Sequence, residues 1–170
     1  DQFCVQGFQV LLEGPFNDLV SDMETNLNDN SQLPLDQPFD SNPGADWYYT
    51  GNESVPAIPH PDVVDWILVQ GRDATSAANA TSGSIIETQP AFLLKNGKVV
   101  GLDGVSPVTL TQPVNESLYI VVFHRNHLGV MSAYPVDHSG ECQYTFNFTT
   151  GPDQAHGGNL AHKELDSGMW

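Results

Sequence analysis

The chain has 170 residues, 39% of them hydrophobic, which is enough to bury a core as one domain and too apolar for a disordered segment. Five Lys and Arg against 21 Asp and Glu leave a formal charge of −16, a surface that repels phosphate backbones and anionic lipid and excludes nucleic-acid partners. No apolar run reaches the ~18 residues of a membrane span, so no membrane insertion is expected.

Residues 3–12, "FCVQGFQVLL", are β-branched and aromatic and stop at "EGP", which predicts a strand and a turn. Across 16–27, Phe16, Leu19, Val20, Met23 and Leu27 fall at helical spacing, while Met23, Thr25 and Leu27 alternate as in a strand. One short helix or an irregular excursion is expected there. Residues 28–62 carry six prolines, at 34, 38, 43, 56, 59 and 61. That length and composition predict an ordered surface excursion or a binding loop.

"VVDWILVQGRD" (63–73) is apolar on both alternating faces, which predicts a strand covered on both sides. Residues 74–84 are loop by composition. "AFLLKNGKVVGLDG" predicts a hairpin turning at Asn96-Gly97, with a type I′ turn in which both central residues take φ > 0. "SPVTLTQP", "SLYIVVFHR", "LGVMSAYPV" and "ECQYTFNFTT" supply later strands, and the polar tail 151–170 carries a short helical turn around "LAHKEL". Together these predict an all-β protein. It is expected to be one domain over 1–170, an antiparallel β-sandwich of seven to nine strands with a long Pro-rich excursion (28–62) and a polar tail (151–170).

Cys4 and Cys142 are the only cysteines and lie near the chain's two ends. They read as a disulfide rather than two free thiols, which would stabilise the fold by about 4–5 kcal/mol in the chain-entropy model. Four N-x-S/T sequons stand at Asn52, Asn79, Asn115 and Asn147, glycan candidates in a chain of eukaryotic origin.

The densest polar stretch is "HRNH", His124, Arg125, Asn126 and His127. Strand alternation sends residues three apart to opposite faces unless a turn intervenes, and no third metal ligand is identifiable. No nucleophile elbow or H-E-x-x-H is present. The expectation is therefore a structural polar corner in which Arg125 pairs with a carboxylate, Asp65 or Asp73. For binding, "DWYYTGNES" combines Trp47, Tyr48 and Tyr49 with Asp46 and Asn52, the mix of flat rings and polar groups that suits sugars; alternatively Trp47 and Tyr48 pin the loop to the core. Asp36, Asp40 and Asp46 are weak calcium-ligand candidates, matching no EF-hand spacing. No other cofactor is expected.

The ordered set "VLLEGPF", "LPLDQPF", "VDWILVQGRDA", "AFLLKNGKVVGLDGVSPV", "YIVVFHRNHLGVMSA" and "LDSGMW" resembles a C-terminal β-rich module of large secreted and cell-surface proteins of Bacteroidetes and other environmental bacteria, the hemagglutinin-like, adhesin-like, T9SS-exported proteins. The resemblance spans nearly the whole chain and implies an extracellular, non-catalytic setting beside other β-domains. By fold analogy, "LDGVSPVTL" leading into "SLYIVVFHR" is similar to prealbumin-like or immunoglobulin-like adhesin domains. The expected function is adhesion or structural assembly, as a building unit of a surface adhesin or filament, with self-association or neighbouring β-domains as partners. A carbohydrate-binding module, with glycans as partners and calcium as a candidate cofactor, is the alternative.

Overall fold

The computed structural model describes residues 3–5 (backbone only), 7–138, 144–166 and 168–170. The chain is β-rich. Its long strands are β4 (Val63–Asp73), β5 (Ile85–Leu94), β8 (Leu118–His124) and β9 (His127–Met131). Short ones are β1 (Phe3–Val5), β2 (Phe16–Asn17), β3 (Asp22–Met23), β6 (Val99–Val100), β7 (Val108–Leu110), β10 (Asp137–His138) and β11 (Tyr144–Thr145). That is eleven strands among the described residues, more than the seven to nine expected, because several are two-residue pairs with no readable periodicity.

Five strands form one antiparallel sheet in the order β6-β5-β4-β8-β9, with β4 at its centre. A four-stranded sheet runs β10-β11-β1-β7, and β2 pairs with β3 in a separate ribbon. Gln9 bridges antiparallel to Lys98 and parallel to Asn147, tying the N-terminal segment to both ends of the fold.

The central sheet is buried on both faces, as the predominantly apolar run of β4 predicts. On one face Ile67, Val69, Leu93, Ile120 and Val122 meet Phe8, Val10, Leu110, Phe146 and Phe148. On the other, Trp66, Leu68, Phe92, Val121 and Phe123 meet Leu33, Phe39 and Val55, with Trp47, Tyr49 and Ile58 packed alongside. The Pro-rich stretch 28–62 is thus an ordered excursion laid over this face, burying Leu33, Phe39 and Val55 against the sheet while most of its residues stay exposed. Its backbone is held by the Asp36–Ser54 bridge, and Trp66 Nε1 donates to the Pro34 carbonyl at 2.8 Å.

Three local expectations are corrected. Residues 16–23 form the β2–β3 ribbon, and helix is confined to the single turn α1 (Asn26–Asp29). The 91–100 hairpin turns through three residues, not a type I′ pair. Gly97 N donates to the Leu94 carbonyl (2.8 Å), and only Gly97 lies at positive φ (+82°). Its Cα also faces the Val10 carbonyl, where a Cβ would stand 3.0 Å away, so glycine is required twice over. In the tail, single 3₁₀ turns lie at 152–154 and 158–160 in place of the one expected around 160–165. The tail is docked: Ser132 bridges Ala155, and Trp170 N donates to the Thr149 carbonyl.

Candidate binding cleft

The polar corner begins with an irregularity in β4. Regular alternation would put Val64 and Trp66 on one face, yet they belong to opposite cores, because the β4–β5 register slips between Val63 and Asp65. The bulge turns Val64 and Asp65, consecutive residues, toward the same cleft. Asp65, 2% exposed, lies there within reach of the β8–β9 turn.

That turn has two residues, Arg125 and Asn126, neither at positive φ, and His124 and His127 flank it as direct cross-strand partners. Partners across a hairpin share a face, so the two histidines converge, correcting the alternation argument that separated them. Their rings lie 4.8 Å apart, edge to face.

The hydrogen bonds fix the tautomers. Asp65, a carboxylate, only accepts, so the 3.0 Å contact from His124 puts a proton on Nε2. His124 Nδ1 is then a lone pair, accepting from Asn126 N (3.2 Å) and from His127 Nδ1–H (2.9 Å). His127 Nε2 is left as acceptor for the Gly14 backbone N–H at 3.3 Å. A polarised chain therefore runs Asp65–His124–His127–Gly14, with every ring nitrogen engaged. A Cβ on Gly14 would stand 3.3 Å from His127 Nε2, so the missing side chain permits this approach.

Arg125 pairs with Asp65, as expected, and not with Asp73. One nitrogen, Nη2, reaches both carboxylate oxygens (3.0 and 3.1 Å), while Nε is buried without a partner. Asp73 instead accepts from the backbone of Asn115 and Glu116. Burial pushes the Asp65 carboxyl up, but the His124 hydrogen bond, the Arg125 charge and the Trp66 N–H together hold it below the usual range. His127 is lowered, by burial first and then by His124.

The corner forms one wall of a cleft of about 520 Å³. Leu12, Phe16, Leu19, Leu27 and Val64 supply apolar lining, and Asn17, Asp18, Glu24 and Asn26 supply polar lining. Phe16, Leu19 and Leu27 were noticed in the sequence only for their spacing, and apart from the "HRNH" residues and Asp65 no lining residue was marked there as part of a site. The wall is assembled from segments up to 113 residues apart, as the Gly14–His127 contact shows, and local patterns carry no signal for that.

The loop aromatics are divided. Trp47 packs edge-on to Phe39 (6.0 Å, 71°) and joins the core. Tyr49 also turns inward; its hydroxyl donates to Glu53 Oε1 at 2.5 Å and is pushed up to about 12 by burial, then by Glu53. Tyr48 is the exposed ring of the three, at 40%. The loop is thus pinned by Trp47 and Tyr49, not by Trp47 and Tyr48. Asp46 and Asn52 are exposed beside it, as are Asp36 and Asp40. Among the described residues no group of three or more His, Cys, Asp or Glu is placed to hold a metal ion.

Of the sequons, Asn52, Asn79 and Asn115 are exposed. Asn147 is engaged: its Nδ2 donates to Gln9 Oε1 (2.7 Å), and its Oδ1 accepts from Thr149 N (2.8 Å). The expected Cys4–Cys142 bridge falls on side chains outside the described residues. No family model matches the chain, and no curated protein or solved structure is similar enough to match it either.

Proposed function

We propose that the protein is a non-catalytic module acting outside the cell in adhesion or structural assembly, engaging its partner through the cleft. One observation carries the non-catalytic part: every imidazole nitrogen of the polar corner is already engaged. A general base needs a free lone pair within reach of a substrate proton, and a nucleophile needs an activated atom at the cleft. Here the chain of polarisation ends on a backbone amide and fastens the N-terminal segment to the hairpin.

The fold reading behind this takes the five-stranded and four-stranded sheets as the leaves of an immunoglobulin-like or prealbumin-like sandwich, with the Pro-rich layer on the outer face. The extracellular setting rests on the resemblance to surface modules of environmental bacteria; the strongly acidic composition is compatible with it. A carbohydrate-binding module is the weaker alternative, since Tyr48 alone of its three rings offers an exposed face.

The test has two arms. Chromogenic ester, phosphate, glycoside and peptide substrates are offered to the wild type, to Asp65→Asn and to His127→Gln, with circular dichroism as the folding control. No turnover is expected; turnover that falls in a folded variant overturns the non-catalytic reading. In the second arm the protein is sedimented at high concentration and passed over immobilised bacterial cells. A strict monomer that is not retained sinks adhesion and assembly together.

A further inference from the structure

We infer that the cleft between the β2–β3 ribbon, α1 and the β8–β9 hairpin is a binding site for an organic ammonium ion with an apolar body. The inference rests on reading the protein as a binding module and names the chemistry its cleft selects. Concave sites of 300–1,000 Å³ with mostly apolar walls and a few convergent polar groups are the usual form of small-molecule sites, and about 520 Å³ falls in that range.

The walls set the body of the ligand. Leu12 and Val64 are buried at the inner side, Phe16 is partly buried, and Leu27 is 37% exposed. Leu19, at the ribbon's turn, is 94% exposed, an unpartnered apolar side chain in the lining. Covering these surfaces favours an aryl or alkyl group over a polyhydroxylated one.

The charge of the lining sets the head group. Asp18 and Glu24 border the cleft, and Asn17 Nδ2 donates to Glu24 Oε1 at 2.5 Å, fixing that carboxylate in the lining. No Lys or Arg lines the cleft among the described residues. The chain's cations are mostly committed elsewhere: Lys95 to Asp62, Lys163 to Glu13, Arg125 to Asp65, and Arg72 to Gln70 and the Ala80 carbonyl. Every imidazole nitrogen in the wall is already engaged within the protein. A cation entering the cleft therefore meets two carboxylates without a competing positive side chain, whereas an anion meets them on a molecule of charge −16.

Three probes share one body and differ in charge: 3-phenylpropylammonium, 3-phenylpropanol and 3-phenylpropionate. Each is titrated into ¹⁵N-labelled protein at pH 7.5 and low salt, following the amides of 16–19 and 26–27. The ammonium is expected to bind about three- to fivefold more tightly than the alcohol, the scale of exposed charge pairs, and the carboxylate most weakly. Both carboxylates are exposed, so the preference should shrink in 0.5 M NaCl. In the Asp18→Asn/Glu24→Gln variant the ammonium and the alcohol should bind alike. Equal or reversed affinities, or a preference that survives in that variant, overturn the inference while leaving a cleft that binds. If no probe shifts those amides, both the inference and the cleft-binding reading fall.

Discussion

Asp65 accepts from Trp66 N (2.7 Å), from His124 Nε2 and from Arg125 Nη2, so it is the hub on which the corner hangs. Replacing it with Asn removes the counter-charge of a half-buried guanidinium, and breaking such a pair from one side costs about 3–5 kcal/mol. Urea unfolding of Asp65→Asn should show a loss of that size, and the Arg125→Met/Asp65→Asn double variant should lose less than the sum of the singles. Strict additivity would mean that the two side chains do not depend on each other. The same hub gives a pH signature. His127 is lowered below its ordinary value of 6.5, so the unfolded chain binds its proton first as pH falls. Its contribution is fully present above about pH 6.5 and is lost progressively as pH drops toward the folded value. Asp65 is also lowered, from 3.8, so its share persists to lower pH and goes only as pH falls past about 4. Urea midpoints measured from pH 8 to 3 should therefore fall in two stages. His127→Gln should reduce the upper stage and leave the lower one; what remains of the upper stage belongs to His162, which burial also lowers. A wild-type curve level between pH 7 and 5 would contradict the role given to His127.

At the scale of elements, the Pro-rich stretch is mostly exposed but sends a few side chains into the core. Phe39 is 0% exposed and packs in the same apolar cluster as Trp66, Leu68 and Phe92. Phe39→Ala should therefore cost about 3–5 kcal/mol, the loss expected of a sheet-core aromatic. Chemical denaturation measures it, and a loss below about 1 kcal/mol would return 28–62 to the status of a surface loop. The contrast marks what could be read from residues alone. β4 and β8 are legible because runs dense in β-branched, aliphatic and aromatic residues admit little besides a doubly covered strand, and their adjacency makes Asp65 a reasonable partner for Arg125. The excursion itself is legible, but its inward side chains are not, because proline and turn residues announce irregular backbone and say nothing of which side chains point inward. Trp47 and Tyr49 turn in while Tyr48 turns out, an outcome decided by the sheet face they meet. The histidines were misjudged because alternation was carried through a two-residue turn, where residues i and i+3 become opposite neighbours. The β2–β3 ribbon showed only as an ambiguous alternation at Met23, Thr25 and Leu27, since two-residue strands have no period, and the cleft it borders left no trace because its walls are distant in sequence.

For the molecule as a whole, the question is whether salt helps or harms. Among the described residues the attractive pairs that salt can screen are few: Lys95–Asp62, with side chains 42% and 37% exposed, and Lys163–Glu13, which is more exposed still. Exposed pairs of this kind contribute about 0–1 kcal/mol each at most. The Arg125–Asp65 pair, with Asp65 3% exposed, is largely shielded from screening by its burial. Against these stand 21 carboxylates and five Lys and Arg, a self-repulsion that opposes the compact state. Acid would relieve that repulsion too, but it also protonates His127 and then Asp65, so pH mixes two effects of opposite sign. Added NaCl relieves the repulsion while leaving the corner's protonation largely unchanged, which makes it the cleaner probe. Relief worth about 1 kcal/mol would raise Tm by about 2–4 °C in a chain of this size. Thermal melts at pH 7.5 between 20 mM and 0.5 M NaCl should show a rise on that scale. A level or falling Tm would mean that the two exposed ion pairs outweigh the repulsion among the carboxylates, and the acidic surface would then have to be accounted for by something other than tolerated strain.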